Sequence, residues 1–247
     1  NFPVHIKLDT GMTRLGFHPE HDMDALIQRL SRQSAVLPRS VFAHFAGSAS
    51  ADFDEYTKHQ FALFDAASKR LQEACAHKVL RHICNSAAIE RFPEYHLDMV
   101  RLGLGLYGIS PIDNRTLHNV ATLKTTILQI REVDADTTVG YSRRGTLQRP
   151  SRIAALPIGY ADGLDRAFGG GNGFALVRGQ KAPFLGNICM DVCMIDVTDI
   201  EDVSENDTVT IFGDELTISH LAEKTNTIPY EILTGVSARV KRVYYQE

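Results

Sequence analysis

Arg101 is the residue whose setting most demands a chemical explanation. It lies between an apolar pair, Met99-Val100, and a glycine-spaced run, Gly103, Gly105 and Gly108, in the stretch H-L-D-M-V-R-L-G-L-G-L-Y-G-I-S from His96 to Ser110. A charge in such surroundings is costly to bury unless a specific partner answers it. Glycines directly after it let backbone N–H groups come close to a ligand, as an anion such as phosphate requires. The stretch therefore reads either as an anion-cradling turn or as a buried strand whose arginine pairs with a carboxylate.

Other candidates are spread along the chain. Lys7, Asp9 and Arg14 lie in H-I-K-L-D-T-G-M-T-R-L-G-F. The period of two puts Lys7 and Asp9 on one face of a strand, with Arg14 beyond a glycine-containing turn. Charges at a strand's C-terminal end are where α/β folds carry their chemistry, and a surface ion pair is the plainer alternative. His44 sits in V-F-A-H-F, where a histidine serves either as a hydrogen-bonded core residue or as a proton carrier. Asn85-Ser86 ends one strand and opens a helix, so Ser86 can cap that helix or hold a phosphate.

Tyr141 in V-G-Y-S-R-R and Tyr160 in L-P-I-G-Y-A-D-G are packing residues unless nearby cations or donors lower a pKa of about 10. Cys189 and Cys193 have C-x-x-x-C spacing without a second ligand pair, so no metal is expected there.

The elements that must position these residues change character midway. Up to Pro111, strand-like and helix-like segments alternate. Strands are predicted at Val4–Leu8, Ser40–Phe45, Val79–Ile83 and Met99–Leu102, and helices at Asp22–Ser31, Asp54–Ala76 and Ser86–Arg91. Such units indicate a parallel sheet with covering helices, either barrel or doubly wound. Beyond it the pattern is β-rich: Ala121–Glu132, Ser151–Pro157, Phe174–Val177, Lys181–Leu185, Val192–Val197 and Thr208–Ile211, then two short helices at Ile218–Lys224 and Pro229–Val236. The predicted domains are 1–117 and 118–247.

The chain has 247 residues, is 44% hydrophobic and 23% charged, and carries a net charge of −4. No basic run marks a nucleic-acid or membrane surface, and no apolar run approaches the roughly 18 residues of a membrane span. Four cysteines are too few for a disulfide scaffold of this size, so a reducing, cytoplasmic setting is expected. The chain opens at Asn1 rather than Met, and a longer N-terminal portion is expected to precede it.

Taken in order, K-L-D-T-G-M-T-R-L-G-F, H-F-A, C-N-S-A-A, D-M-V-R-L-G-L-G-L-Y-G, V-G-Y, L-P-I-G-Y-A-D-G and G-Q-K-A-P-F-L-G-N-I-C-M-D resemble alanine racemase, a fold-type III pyridoxal 5'-phosphate (PLP) enzyme. The resemblance implies the C-terminal part of a (β/α)8 barrel, binding PLP, followed by a β-rich domain. It also implies a head-to-tail homodimer in which each C-terminal domain completes the partner's active site. The activity implied is interconversion of L- and D-alanine for bacterial peptidoglycan synthesis.

Residue by residue, Arg101 looks like the arginine facing the cofactor's pyridine nitrogen. A guanidinium keeps its proton at working pH, so the ring nitrogen stays unprotonated and its electron-sink character is muted. Ser86, Asn85 and the amides of Gly103 and Leu104 match the phosphate cradle. Arg14 matches the arginine near the cofactor's phenolic oxygen and the substrate carboxylate, and Lys7 a lysine often carbamylated. Tyr141 matches the catalytic tyrosine of the L-alanine side, and His44 the histidine linking it to the pyridine-facing arginine. Tyr160 and Met190 match substrate-access and carboxylate-contact positions, with Asp191 lining the same access.

Two departures stand out. The family's Schiff-base lysine, in a V-K-A-N-A-Y-G-H-G-like motif, has no counterpart here, so the isolated chain is expected to be inactive. V-S-A-R-V-K-R places Ala238 where some members have a phosphate-binding tyrosine, and Lys241 where proline is usual. The alternatives are a serine or broad-specificity racemase, and a non-catalytic dimerisation module of a larger fusion.

Overall fold

A computed structural model of the chain describes residues 2–245. It divides into two compact units: the chain through Leu106 together with Ser110–Arg115, and Tyr107–Ile109 together with the chain from Thr116 onward.

The first unit is built on three parallel strands, β1 (Phe2–Lys7), β2 (Val36–Phe42) and β3 (Leu80–His82), neighbouring one another in chain order. Helix α1 (Met23–Ser31) joins β1 to β2 and α2 (Asp54–Glu73) joins β2 to β3. This is the repeating unit of a (β/α)8 barrel, of which the three strands form a part. In α1, Asp24 in the first turn and Arg29 in the last complement the helix dipole. The buried stripe of α2 runs through Thr57, Gln60, Phe64, Ala67, Ser68 and Leu71, the three- and four-residue spacing of one helix face. Its apolar members pack with Ile6, Leu8, Val41, Ala43, Phe45 and Ile83 into one core. Helix α3 (Ser86–Arg91) is capped by the Asn85 side chain, which accepts the Ala88 N–H at 3.0 Å.

Two strand expectations change here. β2 ends at Phe42, two residues short of His44, because side chains take over the carbonyls that a ladder would use. Arg101 donates to Ala43 O, and Gln60 Nε2 donates to His44 O at 3.3 Å. Met99–Leu102 is not a strand. It meets the β3 segment through Asp98 N–H to Arg81 O (3.2 Å) and Arg101 N–H to Cys84 O (3.0 Å). The Arg81 N–H goes to the Asp98 carboxylate instead of a backbone carbonyl, which stops the ladder.

The second unit is β-rich. Its strands are β4 (Leu123–Thr126), β5 (Gln129–Val133), β6 (Thr138–Val139), β7 (Gly145–Thr146), β8 (Ser151–Leu156), β9 (Phe174–Val177), β10 (Gln180–Leu185), β11 (Cys193–Asp196) and β12 (Thr208–Phe212). Seven form an antiparallel sheet in the order β4-β12-β9-β10-β11-β8-β5, and β6 and β7 pair separately. The segment predicted as one strand, Ala121–Glu132, is broken at Ile127-Leu128, whose N–H groups bond Asp207 O and Ala155 O on different strand neighbourhoods. The two edge strands of the sheet are thus consecutive in sequence, so the sheet must curl round to bring its edges together. Helices α4 (Ile218–Lys224), capped by Thr217, and α5 (Pro229–Gly235) follow. Among the described residues, no helix is long and apolar enough to cross a membrane.

Candidate functional site

In the first unit the polar residues converge beyond the C-terminal ends of the strands, around the Arg101 guanidinium. Nη1 donates to His82 Nδ1 (2.7 Å) and His82 O (3.4 Å). Nη2 donates to Ala43 O (2.8 Å) and Ile83 O (3.0 Å), and lies 3.3 Å from His44 Nδ1. No carboxylate pairs with it among the described residues, so the buried-ion-pair reading of Arg101 does not hold. The Phe42 ring lies under the guanidinium at 5.4 Å and stacks on His82 with an interplanar angle of 2°. An arginine offers five N–H donors. The four on Nη1 and Nη2 are spoken for, which leaves Nε–H without an acceptor among the described residues.

His44 is set by its neighbours. Burial, then the positive charges of Arg101, Arg14 and Lys7, push its imidazole down to about 4, so it is neutral at ordinary pH. Gln60 fixes the loop that carries it, accepting the Ala46 N–H at 2.9 Å while donating to His44 O. His82 is likewise pushed down to about 4 by burial, Arg101 and His5. Its Nε2 lies 3.1 Å from Ser40 Oγ, which in turn lies 2.6 Å from His5 Nδ1. Sequence reasoning passed over His82, Ser40 and His5; the only signal was a histidine closing the short strand Leu80-Arg81-His82.

Lys7 ends β1 and donates from Nζ to Leu15 O at 2.8 Å. Asp9 lies beyond the strand and accepts the N–H groups of Gly11 (3.0 Å) and Thr13 (2.9 Å), shaping the turn that leads to Arg14. Burial lowers the Lys7 ammonium below its ordinary pKa; Asp9 opposes this, while Arg14 and Arg101 reinforce it. Lys7, Arg14, His44 and Arg101 are therefore one electrostatic cluster.

Ser86 is buried, and its Oγ accepts the N–H groups of Gly103 (2.7 Å) and Gly105 (3.4 Å). Its own hydroxyl proton has no acceptor among the described residues. The Asn85 side chain is taken by the cap and by Ser48 Oγ at 3.0 Å. Gly108 serves a different end from the other two glycines. Its φ is +76°, and a Cβ there would lie 1.7 Å from His118 O, so glycine is demanded by a backbone crossing.

In the second unit, Gly140, Tyr141, Cys189, Met190, Asp191 and Val192 line a cavity of about 430 Å³. Tyr141 follows β6 in a turn where Ser142 and Arg143 both have positive φ, 58° and 53°. Asn187 Nδ2 holds the Tyr141 carbonyl at 3.1 Å, and the ring is 72% exposed. Tyr160 lies on the loop after β8, whose backbone is bonded to the Met190 loop through Tyr160 N–H to Cys189 O and Ala161 N–H to Met190 O, both 3.0 Å.

Residues 1–111 match the family described as "Alanine racemase, N-terminal domain", and residues 120–244 that described as "Alanine racemase, C-terminal domain". "Alanine racemase 2" of Caldanaerobacter subterraneus subsp. tengcongensis is 41% identical over 249 residues, covering 98% of this chain and 64% of that protein. The solved alanine racemase of Clostridium difficile 630 superposes with a TM-score of 0.91 at 34% identity, covering 98% of this chain and 64% of that one. The alanine racemase of Bartonella henselae with covalently bound pyridoxal phosphate gives 0.84 at 31% identity, covering 98% and 66%. The chain thus spans just under two thirds of the length of these proteins.

Proposed function

The chain belongs to the alanine racemase family, and we propose that the complete protein interconverts L- and D-alanine with PLP as cofactor. The observation that carries this reading is the donor set of the first unit. A half-buried Arg101 has its Nη hydrogens consumed by protein acceptors and its Nε–H left over. A buried Ser86 accepts two amides and keeps its own proton to give. One unpartnered donor that cannot lose its proton suits a neutral ring nitrogen, and one unpartnered hydroxyl beside glycine amides suits a phosphate oxygen. The residues fit the group.

PLP, when bound, withdraws electrons from the substrate and acidifies its α C–H. Arg101 Nε–H would hold the ring nitrogen and Ser86 and Leu104 would hold the phosphate, with Gly103 acting through its N–H to Ser86 Oγ and Asn85 ordering the helix start. Arg14 orients the substrate carboxylate, with Met190 and Tyr160 lining the access. Tyr141 takes or returns the α-proton on the L-alanine side. Neutral His44, whose Nδ1 lies 3.3 Å from Arg101 Nη2, would link Arg101 to the tyrosine supplied by the partner subunit. Racemisation needs a base on each face, because a single base returns the proton to the side it left. A V-K-A-N-A-Y-G-H-G-like motif is absent from the 247 residues, so the isolated chain is inactive in this reading. The working enzyme is a homodimer whose β-rich domain (118–247) serves the partner's PLP-binding domain (1–117). It is cytoplasmic and supplies D-alanine for peptidoglycan synthesis.

The test is α-proton exchange of L-alanine in heavy water, followed by product chirality, with the complete gene product and PLP. Loss of the α-proton with appearance of D-alanine, abolished in Tyr141→Phe, supports the reading. Exchange of serine in preference to alanine, or of neither, overturns it.

A further inference from the structure

We propose that Arg239 is a positioning residue that locks together the two loops carrying Tyr160 and Met190, so that the rim of the Tyr141 cavity holds one shape. The inference rests on the racemase reading for what the rim receives.

The geometry is a single guanidinium spanning two carboxylates far apart in sequence. Arg239 Nε donates to Asp162 Oδ1 at 2.7 Å, and Nη2 donates to Asp191 Oδ1 at 2.6 Å. Asp162 is two residues past Tyr160, and Asp191 directly follows Met190. The other Asp162 oxygen accepts the Gly159 N–H at 2.9 Å, so that carboxylate closes the Tyr160 turn and ties it to Arg239 at once. The segment bearing Arg239 is itself fastened. Ser237 N–H bonds Asp162 O at 3.0 Å, and Arg242 donates to the carbonyls of Val236, Ser237 and Val240. Asp162 is lowered below its ordinary pKa even though its burial pushes the other way, because Arg239 and the Gly159 amide outweigh that cost.

Stability is not the reason for this arrangement. Arg239 is half exposed, and exposed ion pairs contribute little to folding. What a rigid planar fork supplies is direction: one guanidinium can hold two carboxylates at a fixed angle, which a lysine ammonium cannot. Without it, Asp162 and Asp191 are two like charges on adjoining loops, and the Tyr160 and Ala161 amides are left to hold the loops against that repulsion. Met190 and Asp191 line the cavity beside Tyr141, so parting of the loops alters the opening through which a small amino acid passes. Ala238, the neighbouring residue, adds no side chain there beyond a methyl group.

The experiment uses the complete gene product with Arg239→Met and Arg239→Lys. Backbone hydrogen exchange at Tyr160 and Ala161, whose amides bridge the two loops, is expected to quicken about tenfold in Arg239→Met while β8 and β11 amides keep their protection. KM for alanine is expected to rise about tenfold with kcat changed less than about threefold, and Arg239→Lys to fall between. Unchanged exchange with unchanged KM overturns the proposal. Faster exchange with unchanged KM also overturns it, since Arg239 is then only a local tie. Faster exchange in a protein that does not racemise alanine supports the lock and overturns the substrate reading, because exchange is read without turnover.

Discussion

Arg101 Nη1 stands 2.7 Å from Nδ1 of His82, and that contact fixes the tautomer of the imidazole. A guanidinium only donates, so His82 Nδ1 must accept and the ring proton lies on Nε2. Nε2–H then donates to Ser40 Oγ at 3.1 Å, and Ser40 Oγ lies 2.6 Å from His5 Nδ1. The guanidinium is aimed from behind by the neutral His82 ring and its Ser40 partner. His82 is 4% exposed, so no water can take its place.

Replacing His82 by leucine leaves an Arg101 N–H without its in-plane acceptor. His82→Leu is expected to cost roughly 1.5–3 kcal/mol of unfolding free energy, the range for hydrogen bonds to charged groups. Urea unfolding of the isolated chain measures it. A cost below about 0.5 kcal/mol would mean that Arg101 finds another acceptor.

Acid should loosen the first unit before carboxylates titrate. His44 and His82 are each pushed from an ordinary 6.5 to about 4 by burial and by Arg101. Between those values the unfolded chain binds protons that the folded chain refuses. Stability therefore falls as pH drops through this window, and above it these two groups have no effect. The urea midpoint is expected to decline from pH 6.5 to 4, and less steeply in His44→Gln. Equal slopes in wild type and variant would show that His44 protonates freely in the fold.

How much of this was legible depends on range. Ser86–Arg91 and Phe174–Val177 have in the structure the bounds their local pattern predicts, because cap chemistry and alternation act within a few residues. The break between β4 and β5 was invisible: Ile127-Leu128 is as apolar as its flanks, and only the distant Asp207 and Ala155 carbonyls separate the two strands. The pair β6 and β7, two residues each, is shorter than any pattern can mark. Arg101 announced itself because its neighbours are apolar. His82 did not, because its partners Ser40 and Arg101 lie 42 and 19 residues away. The alanine racemase resemblance reached the family through ordered motifs, but V-S-A-R-V-K-R drew attention to Ala238 and Lys241 and not to Arg239, whose partners lie 77 and 48 residues away.

Gly108 separates backbone demand from ligand demand within one glycine run. Gly108→Ala is expected to cost about 3 kcal/mol or more, since a Cβ would collide with the His118 carbonyl as well as take a positive φ. Gly171→Ala, also at positive φ but with nothing within 4 Å, is expected to cost only about 1–2 kcal/mol. Thermal unfolding of the two variants compares them. Equal losses would show that the crossing at His118 yields.

Lys7 is poised for a change of charge sign. Carbamylation joins the neutral amine to carbon dioxide, forming an N–C bond and releasing a proton, so it needs an amine that is readily unprotonated. Burial, with Arg14 and Arg101 close by, lowers the Lys7 pKa and so enlarges that fraction. The product is an anion facing the same two arginines, which turns two repulsions into attractions. The Lys7 cation is also one of the charges holding His44 down. A carbamate carbon signal is therefore expected in buffer enriched with carbon-13 bicarbonate, absent in Lys7→Arg, with the His44 pKa rising as the signal grows. A carbamate signal that leaves the His44 titration unmoved would show that the two groups do not share one field.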